Sequence, residues 1–323
     1  MINNFKEVIR EVIRKSFTYA PDTMLSKSKA IQIENFKEVV KRFSEILALF
    51  NSLGCEKYIL NTWAEYNRRF FEMCSAGLPI NFLQHPIVRD TLAANPVLKK
   101  EWKPFLADLK REAPPFFLAA LEEELIGSPR IVCLDPLTSP GRIVHGWTLL
   151  QFLKATDAVK NCVREDLENI VEYGGGYGGL CVIWKRLNPQ VTYTIIDTPI
   201  MLSIQWTYLT SIFGEDKVNV LKTPGDIPVK GIINLMPVAF IDRNDLDVDV
   251  FVSTWALSES GALAQETIIK HDWYHAKHLL LAFQKASSSF PYAESFKEAA
   301  ILRGGEVCEL PYVFEGDSSA IFV

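Results

Sequence analysis

The 323-residue chain has little histidine and cysteine: five of the first, and six of the second, at positions 55, 74, 133, 162, 181 and 308. No two cysteines form a Cys-x-x-Cys pair and none stands at zinc-finger spacing from a histidine, so a structural zinc module is not expected. The cysteines read as buried thiols of a reducing compartment. No apolar run approaches the roughly 18 residues that a membrane-spanning helix needs, so no membrane partner is expected. A basic excess is missing too. The 34 Lys and Arg against 39 Asp and Glu give a net charge of −5, spread along the chain, which argues against nucleic acid as a partner and for a small molecule.

What is present suffices for a large core. With 48% hydrophobic and 23% charged residues the chain folds, and its length suits one or two domains. The segment MINNFKEVIREVIRKSF sets Phe5, Val8, Ile9, Val12 and Ile13 at helical spacing but breaks them with charges. It lacks the continuous apolar stretch of a signal peptide, and a cytoplasmic protein is expected. Assembly into a homo-oligomer is compatible with the sequence.

The pattern changes near residue 160. Up to about 155 it is helical: 34–53 places Phe36, Val39, Val40, Phe43, Ile46, Leu47 and Phe50 on one stripe, and 58–75 carries Trp63, Tyr66, Phe70 and Phe71. Prolines between 79 and 140 then cut it into short helices and turns. From about 168, apolar runs alternate with helical ones, as in a parallel α/β sheet. Strands are predicted at 168–173, 191–197, 217–221, 247–253 and 278–284, with helices at 178–187, 199–213 and 259–276 and an irregular third crossover. After a helix near 293–303, EVCELPYVF and SSAIFV flank the turn-like EGD. Strands that close together must pair antiparallel. The expectation is an N-terminal all-helical region, 1–155, followed by an α/β domain, 156–323, whose parallel strands end in an antiparallel hairpin.

The sharpest motif is IVEYGGGYGGL at 170–180, between the first strand and the first helix of the α/β half. Gly174, Gly176 and Gly178 alternate, and Gly174, Gly176 and Gly179 satisfy Gly-x-Gly-x-x-Gly. Glycines let the backbone turn tightly and approach a ligand, while free N–H groups at a helix start favour its oxygens. Asp197 ends the second strand 19 residues after Gly178, where a carboxylate accepts hydrogen bonds from ribose hydroxyls. That fits NAD and S-adenosylmethionine equally. Glu172, at the mouth of the first strand, would repel a pyrophosphate but attract an amino group, and so favours the second. Asp226, in TPGDIP, suits either contact with an adenine amino group or a turn-forming role after glycine.

The segments ENIVEYGGGYGGL, YTIIDTP, PGDIP and DVFVSTWALSES together resemble the class I S-adenosylmethionine-dependent methyltransferases. They are most similar to the bacterial sugar O-methyltransferases, which carry a similar GGGYGGL loop, an IID-type end of the second strand and a Ser-x-Glu after the fourth. The resemblance covers about 165–323 and extends only loosely to the helical half. It implies a Rossmann-like methyltransferase sheet, S-adenosylmethionine as cofactor and a sugar or glycan precursor as acceptor. By position, Glu172, Gly174, Gly176 and Asp197 are then cofactor contacts, joined by Gly175, Tyr177, Gly178, Thr198, Ser253 and, less securely, Asp226, because VLKTPGD departs from the family's strand-then-acid pattern.

Methyl transfer to a hydroxyl needs alignment and a proton acceptor. Residues just after the fourth strand face the transferring group: Thr254, Trp255 and Ser258 for the acceptor, and Glu259 as base or sugar ligand. Ser258 and Glu259 also suit a helix cap and its dipole, and Trp255 also suits the core. His271 and His145 are further base candidates. His271 shares a helix face with His275, but without a third ligand no metal is expected. Asp242, Asp245, Asp247 and Asp249 resemble magnesium-binding acids of some methyltransferases, yet precede the fourth strand and read as solvated turn residues. Two alternatives stay open: an NAD(P)-dependent oxidoreductase, for which a Tyr-x-x-x-Lys motif is missing, and a non-catalytic S-adenosylmethionine-binding protein.

Overall fold

A computed structural model describes residues 27–92, 102–156, 167–310 and 318–323. The amphipathic pattern at 5–13, Cys162 and the EGD turn lie outside the described residues.

The helical region runs through α1 (Lys27–Val39), α2 (Phe43–Phe50), α3 (Asn61–Met73), α4 (Pro86–Thr91), α5 (Trp102–Glu112), α6 (Pro115–Ala120) and α7 (Pro140–Ala155). A small antiparallel hairpin, Cys133–Leu134 with Leu137–Thr138, interrupts it before α7. The prolines that break the sequence pattern open helices here. Pro86, Pro115 and Pro140 each stand in the first turn, where a fixed φ is suitable and a missing N–H costs nothing. Ser139 caps α7 by accepting from the Arg142 N–H at 3.2 Å.

The α/β part runs β1 (Asn169–Tyr173), α8 (Gly179–Leu187), β2 (Thr192–Asp197), α9 (Pro199–Phe213), β3 (Val218–Val220), β4 (Ile233–Pro237), β5 (Val250–Thr254), α10 (Ala262–Lys270), β6 (His278–Gln284), α11 (Lys297–Leu302), β7 (Glu306–Glu309) and β8 (Ser318–Phe322). They build an eight-stranded sheet in the order β3-β4-β2-β1-β5-β6-β8-β7. β1 to β6 pair parallel, and β8 runs antiparallel to both β6 and β7. The chain winds outward from β1 on one side and returns to β5 on the other, so the crevice of a doubly wound Rossmann-like sheet opens at the carboxyl ends of β1, β2 and β5.

The expected strands and terminal hairpin are present, and the sheet holds one further parallel strand that the sequence pattern does not announce. β4, INLMP, sits between β2 and the edge strand β3. Its polar centre and terminal proline hide it in the sequence. Asn234 is fully buried, yet its side-chain amide accepts from the Val229 N–H at 2.8 Å and donates to Val229 O at 3.0 Å, so nothing polar is left unsatisfied. The helix expected at 259–276 is also shorter. α10 ends at Lys270, and Asp272, Trp273, Tyr274 and His275 follow with φ of +48°, +49°, +55° and +58°.

Both faces of the sheet are covered. One packs on α10, α11 and the buried Trp273 and Tyr274. The other packs on α8 and α9, and the same apolar cluster continues through Phe36, Phe43, Ile46, Phe50 and Phe70 of the helical region. α9 is the hinge of this continuity. Every residue from Pro199 to Ser211 is buried, as expected of a helix that is apolar all round, because the sheet lies under it and α1 and α2 lie over it. Each fully buried phenylalanine of that cover contributes roughly 1.5–3 kcal/mol.

Candidate functional site

β1 ends in Glu172-Tyr173, and the glycine loop turns over its carboxyl end into α8. Gly174 has φ +76°, and a Cβ there would lie 1.9 Å from the Ala256 Cβ, so both backbone shape and contact exclude any side chain. Gly174 N–H donates to Ile196 O at 2.8 Å and Gly178 N–H to Gly175 O at 2.8 Å, which ties the loop to β2 and closes it on itself. Gly176 differs: a Cβ would meet nothing nearer than a Leu92 methyl at 4.0 Å. The space beside it is open, as a backbone meant to be approached by a ligand requires.

Two acids frame the loop. Glu172 is 1% exposed and lies beneath it, with Oε2 accepting from the Tyr193 hydroxyl at 2.9 Å. Burial, with the nearby Asp197 charge adding to it, pushes its carboxyl up to about 8. Asp197, at the end of β2, is partly exposed. Its Oδ1 accepts from Thr198 N–H at 2.8 Å and its Oδ2 from the Gln205 side-chain amide at 2.7 Å. Loss of hydration raises it to about 7, against the pull of those donors and of the Gly175 N–H.

The turn after β5 supplies the third acid. Ser253 Oγ donates to Tyr173 O at 3.2 Å and accepts from Leu257 N–H at 2.9 Å, so its hydroxyl is committed to the turn. Thr254 is partly exposed at the strand end, and Trp255 is held at φ +69°, a costly conformation for an aromatic residue. Ser258 Oγ shares its proton between Trp255 O at 2.5 Å and Gln284 Oε1 at 2.8 Å. Glu259 Oε1 accepts from Gln284 Nε2 at 3.4 Å and Oε2 from the indole N–H of Trp63 at 2.9 Å. Burial raises its carboxyl to about 7. It precedes α10 by three residues, so it stands in the turn and not on the helix.

Trp63 belongs to the helical region, which forms one wall of the crevice. Gly261 N–H donates to Tyr58 O at 2.8 Å and Ile59 bridges to Ser260. Thr198 Oγ1 donates to Asn67 Oδ1 at 3.4 Å, and Cys55 lies close enough to Asp197 to feel its charge, its thiol rising to about 11 through burial first and Glu56 and Asp197 after. Nothing local in the sequence marks Trp63, Asn67 or Gln205 as site residues. Their partners are 196, 131 and 8 positions away.

The structure thus brings the glycine loop, Glu172, Asp197, Thr198, Ser253, Thr254, Trp255, Ser258 and Glu259 together, and four other expected site residues point elsewhere. Tyr177 turns its ring into the protein: it is 3% exposed, its hydroxyl donates to Glu123 Oε1 at 3.4 Å, and it packs edge-on to Tyr208 at 5.2 Å. Glu123 also pairs with Arg142 at 2.6 Å, both fully buried. His145 lies beside that pair, and burial and the Arg142 charge lower it to about 4, which leaves it neutral among the residues of that buried pair. Asp226 is partly exposed and spends both oxygens on Lys222 N–H, Thr223 N–H and the Thr223 hydroxyl, the turn role, one strand further out than expected because β4 intervenes. His271 sits at the far end of α10 from Glu259, 2.8 Å from Asp242 Oδ1. The remaining acids of that loop are also engaged, Asp245 with Arg243, Asp247 with Asn169 and Asp249 with Lys277. Among the described residues no three metal-ligating side chains converge.

No family model and no curated protein matches the chain. Solved structures match it at low identity. An O-methyltransferase family protein from Burkholderia thailandensis is 13% identical over 56% of this chain and 59% of its own, with TM-score 0.35. Human N-acetylserotonin methyltransferase in complex with SAM is 14% identical over 69% and 66%, with TM-score 0.31. Magnesium protoporphyrin IX methyltransferase from Synechocystis PCC 6803 with bound SAM is 14% identical over 73% and 93%, with TM-score 0.36. The chain spans about three fifths of the Burkholderia protein's length.

Proposed function

We propose that the chain is an S-adenosylmethionine-dependent O-methyltransferase acting on a hydroxyl of a small acceptor, a sugar or glycan precursor. The observation that carries this reading is the pairing of an open, glycine-lined loop over β1 with a partly exposed Asp197 at the adjacent strand end. Both lie at the sheet's crevice, where a nucleoside's ribose would find its acceptor. Three carboxyl groups around the crevice have no cationic partner among the described residues, which suits a ligand that brings its own positive charge. Bound there, the cofactor would supply an electrophilic methyl group.

The chain's own residues then have separable tasks. Asp197 and Thr198 hold the ribose side, and the loop's backbone lets the ligand come close at Gly176. Glu172 answers a positive charge from beneath the loop. Glu259 takes the acceptor's proton: held up to about 7, it stands near the operating pH where a base is most effective. Trp63 and Gln284 fix its two oxygens, while Trp255, 8% exposed and part of the apolar core, takes the packing role and not that of a sugar platform. In this reading residues 1–155 supply a wall and the acceptor side, and 156–323 supply the cofactor side. The cysteines among the described residues are free, which suits a reducing compartment, and among the described residues no helix is long and apolar enough to cross a membrane.

Isothermal titration with S-adenosylhomocysteine, S-adenosylmethionine and NAD tests the proposal. Binding of the two sulfur nucleosides and not of NAD is expected. Preferential binding of NAD would replace the reading with an oxidoreductase.

A further inference from the structure

We infer that Gln205, on the buried face of α9, is the positioning residue that keeps Asp197 available to a nucleoside ribose and locks the glycine loop beside it. The inference rests on the cofactor reading above and names a residue that touches neither ligand nor reacting atoms.

The geometry leaves the amide one orientation. Gln205 is fully buried, and its Nε2 lies 2.7 Å from Asp197 Oδ2 and 2.9 Å from Gly176 O. Both neighbours are acceptors, so the NH₂ group must donate one proton to each; turned over, the amide would set an oxygen against a carboxylate and a carbonyl. The remaining Oε1 is buried without a hydrogen-bond partner. An orphaned amide oxygen costs free energy, and here it is the by-product of a clamp between two different elements: the end of β2 and the open position of the loop. Gln205 comes one turn before Tyr208 and Leu209. Tyr208 packs on Tyr177, and Leu209 is the residue that a Cβ at Gly178 would meet at 3.1 Å. One face of α9 therefore moulds the loop from Gly176 to Gly178.

The clamp also sets when Asp197 carries charge. The groups that face Asp197 from neighbouring elements are Glu172 and Tyr173 on β1 and Cys55 in the helical region, none of them a cation. Its ionised form is held by neutral donors alone: Thr198 N–H, Gly175 N–H and Gln205. Removing Gln205 takes away one of three, and the carboxyl must then gain its proton at higher pH and lose its value as a double acceptor.

The test is Gln205→Met, close to isosteric and unable to donate, titrated with S-adenosylhomocysteine between pH 6 and 9 beside the unmodified protein. At pH 7 the variant should bind about ten-fold or more weaker, as for a lost hydrogen bond to a charged group. The deficit should shrink as pH rises, with the midpoint of the affinity profile shifted upward. Equal affinity and an unshifted midpoint would overturn the inference, and so would a loss that is the same at every pH, because packing alone predicts that. If the methionine variant does not fold, Gln205→Asn, whose shorter amide cannot span both acceptors, should give the same upward shift. Failure of the unmodified protein to bind at any pH would instead remove the cofactor reading itself.

Discussion

At the carboxyl ends of the strands, Glu172, Asp197 and Glu259 face no cation among the described residues, and burial holds them up to about 8, 7 and 7. In the loop from β4 to the amino end of β5 the acids are lowered instead. A hydrogen bond from His271 lowers Asp242, and one from Arg243 lowers Asp245. Partial burial works against Asp249, but Lys277 and the Asn169 and Glu168 N–H groups outweigh it. The same residue types thus serve opposite purposes. Paired acids fasten a loop to the sheet; unpaired, dehydrated acids cost stability, a cost that the proposed cationic ligand would offset.

The largest effects are expected from neutralising an acid at each end of the sheet. Asp197→Asn should weaken S-adenosylhomocysteine binding roughly ten- to a hundred-fold, the effect of a lost charged hydrogen bond, while its thermal midpoint at pH 8 stays level or rises. Asp249→Asn should do the reverse. It leaves the Glu168 and Asn169 N–H groups, now 2.8 and 2.9 Å from its carboxylate, with a weaker acceptor, so stability should fall by about 1.5–3 kcal/mol with affinity unchanged. Calorimetric titration and thermal unfolding on the same two proteins would show whether the effects cross over as stated.

pH should separate the two sets of acids without any substitution. For the raised acids, folding binds protons that the unfolded chain would release, so their contribution is complete only below about pH 4 and is lost progressively from there up to about 7 to 8, with no further change above. For the lowered acids it is present above their ordinary values and lost as pH falls. The ligand-free protein should therefore be most stable at about pH 4 to 5, and its thermal midpoint should drop by several degrees from there to about pH 8 and level off beyond. The double variant Glu172→Gln, Asp197→Asn should flatten that alkaline slope; an unchanged slope would mean that these carboxyls are already ionised in the empty crevice. The smallest expected effect lies away from both sets of acids, in the left-handed turn. His275 has an exposed side chain and φ +58°, so His275→Gly should raise the midpoint by about 1–2 °C, the relief of one left-handed residue less the entropy that glycine adds to the unfolded chain.

The readable features were those whose chemistry is written within a few residues. The glycine loop, the acid closing β2 and the bounds of α9 follow from spacing and apolar runs alone, and the reversed last strand follows from a connection too short for a crossover. What stayed hidden depends on distant partners. Whether Glu259 is a helix-dipole residue or a crevice acid is decided by Trp63 in another region of the chain. β4 was lost because Asn234 looks like a loop residue until its amide is seen paired with Val229. Tyr177 stands between three glycines and two in sequence, but its ring follows Glu123 and Tyr208 inward, which no loop motif states.

The burial of α9 on all sides bears on how the chain can be cut. A fragment spanning only the sheet and its crossovers would keep every residue of the glycine loop and every acid of the crevice. It would also bare the side of α9 that α1 and α2 cover, where Trp206, 3% exposed in the intact chain, lies under the Arg42 guanidinium at 5.2 Å, and an apolar surface of that kind invites association. The described helices before residue 156 supply the other half of the core on which α9 rests, so such a fragment is expected to associate where the whole chain does not.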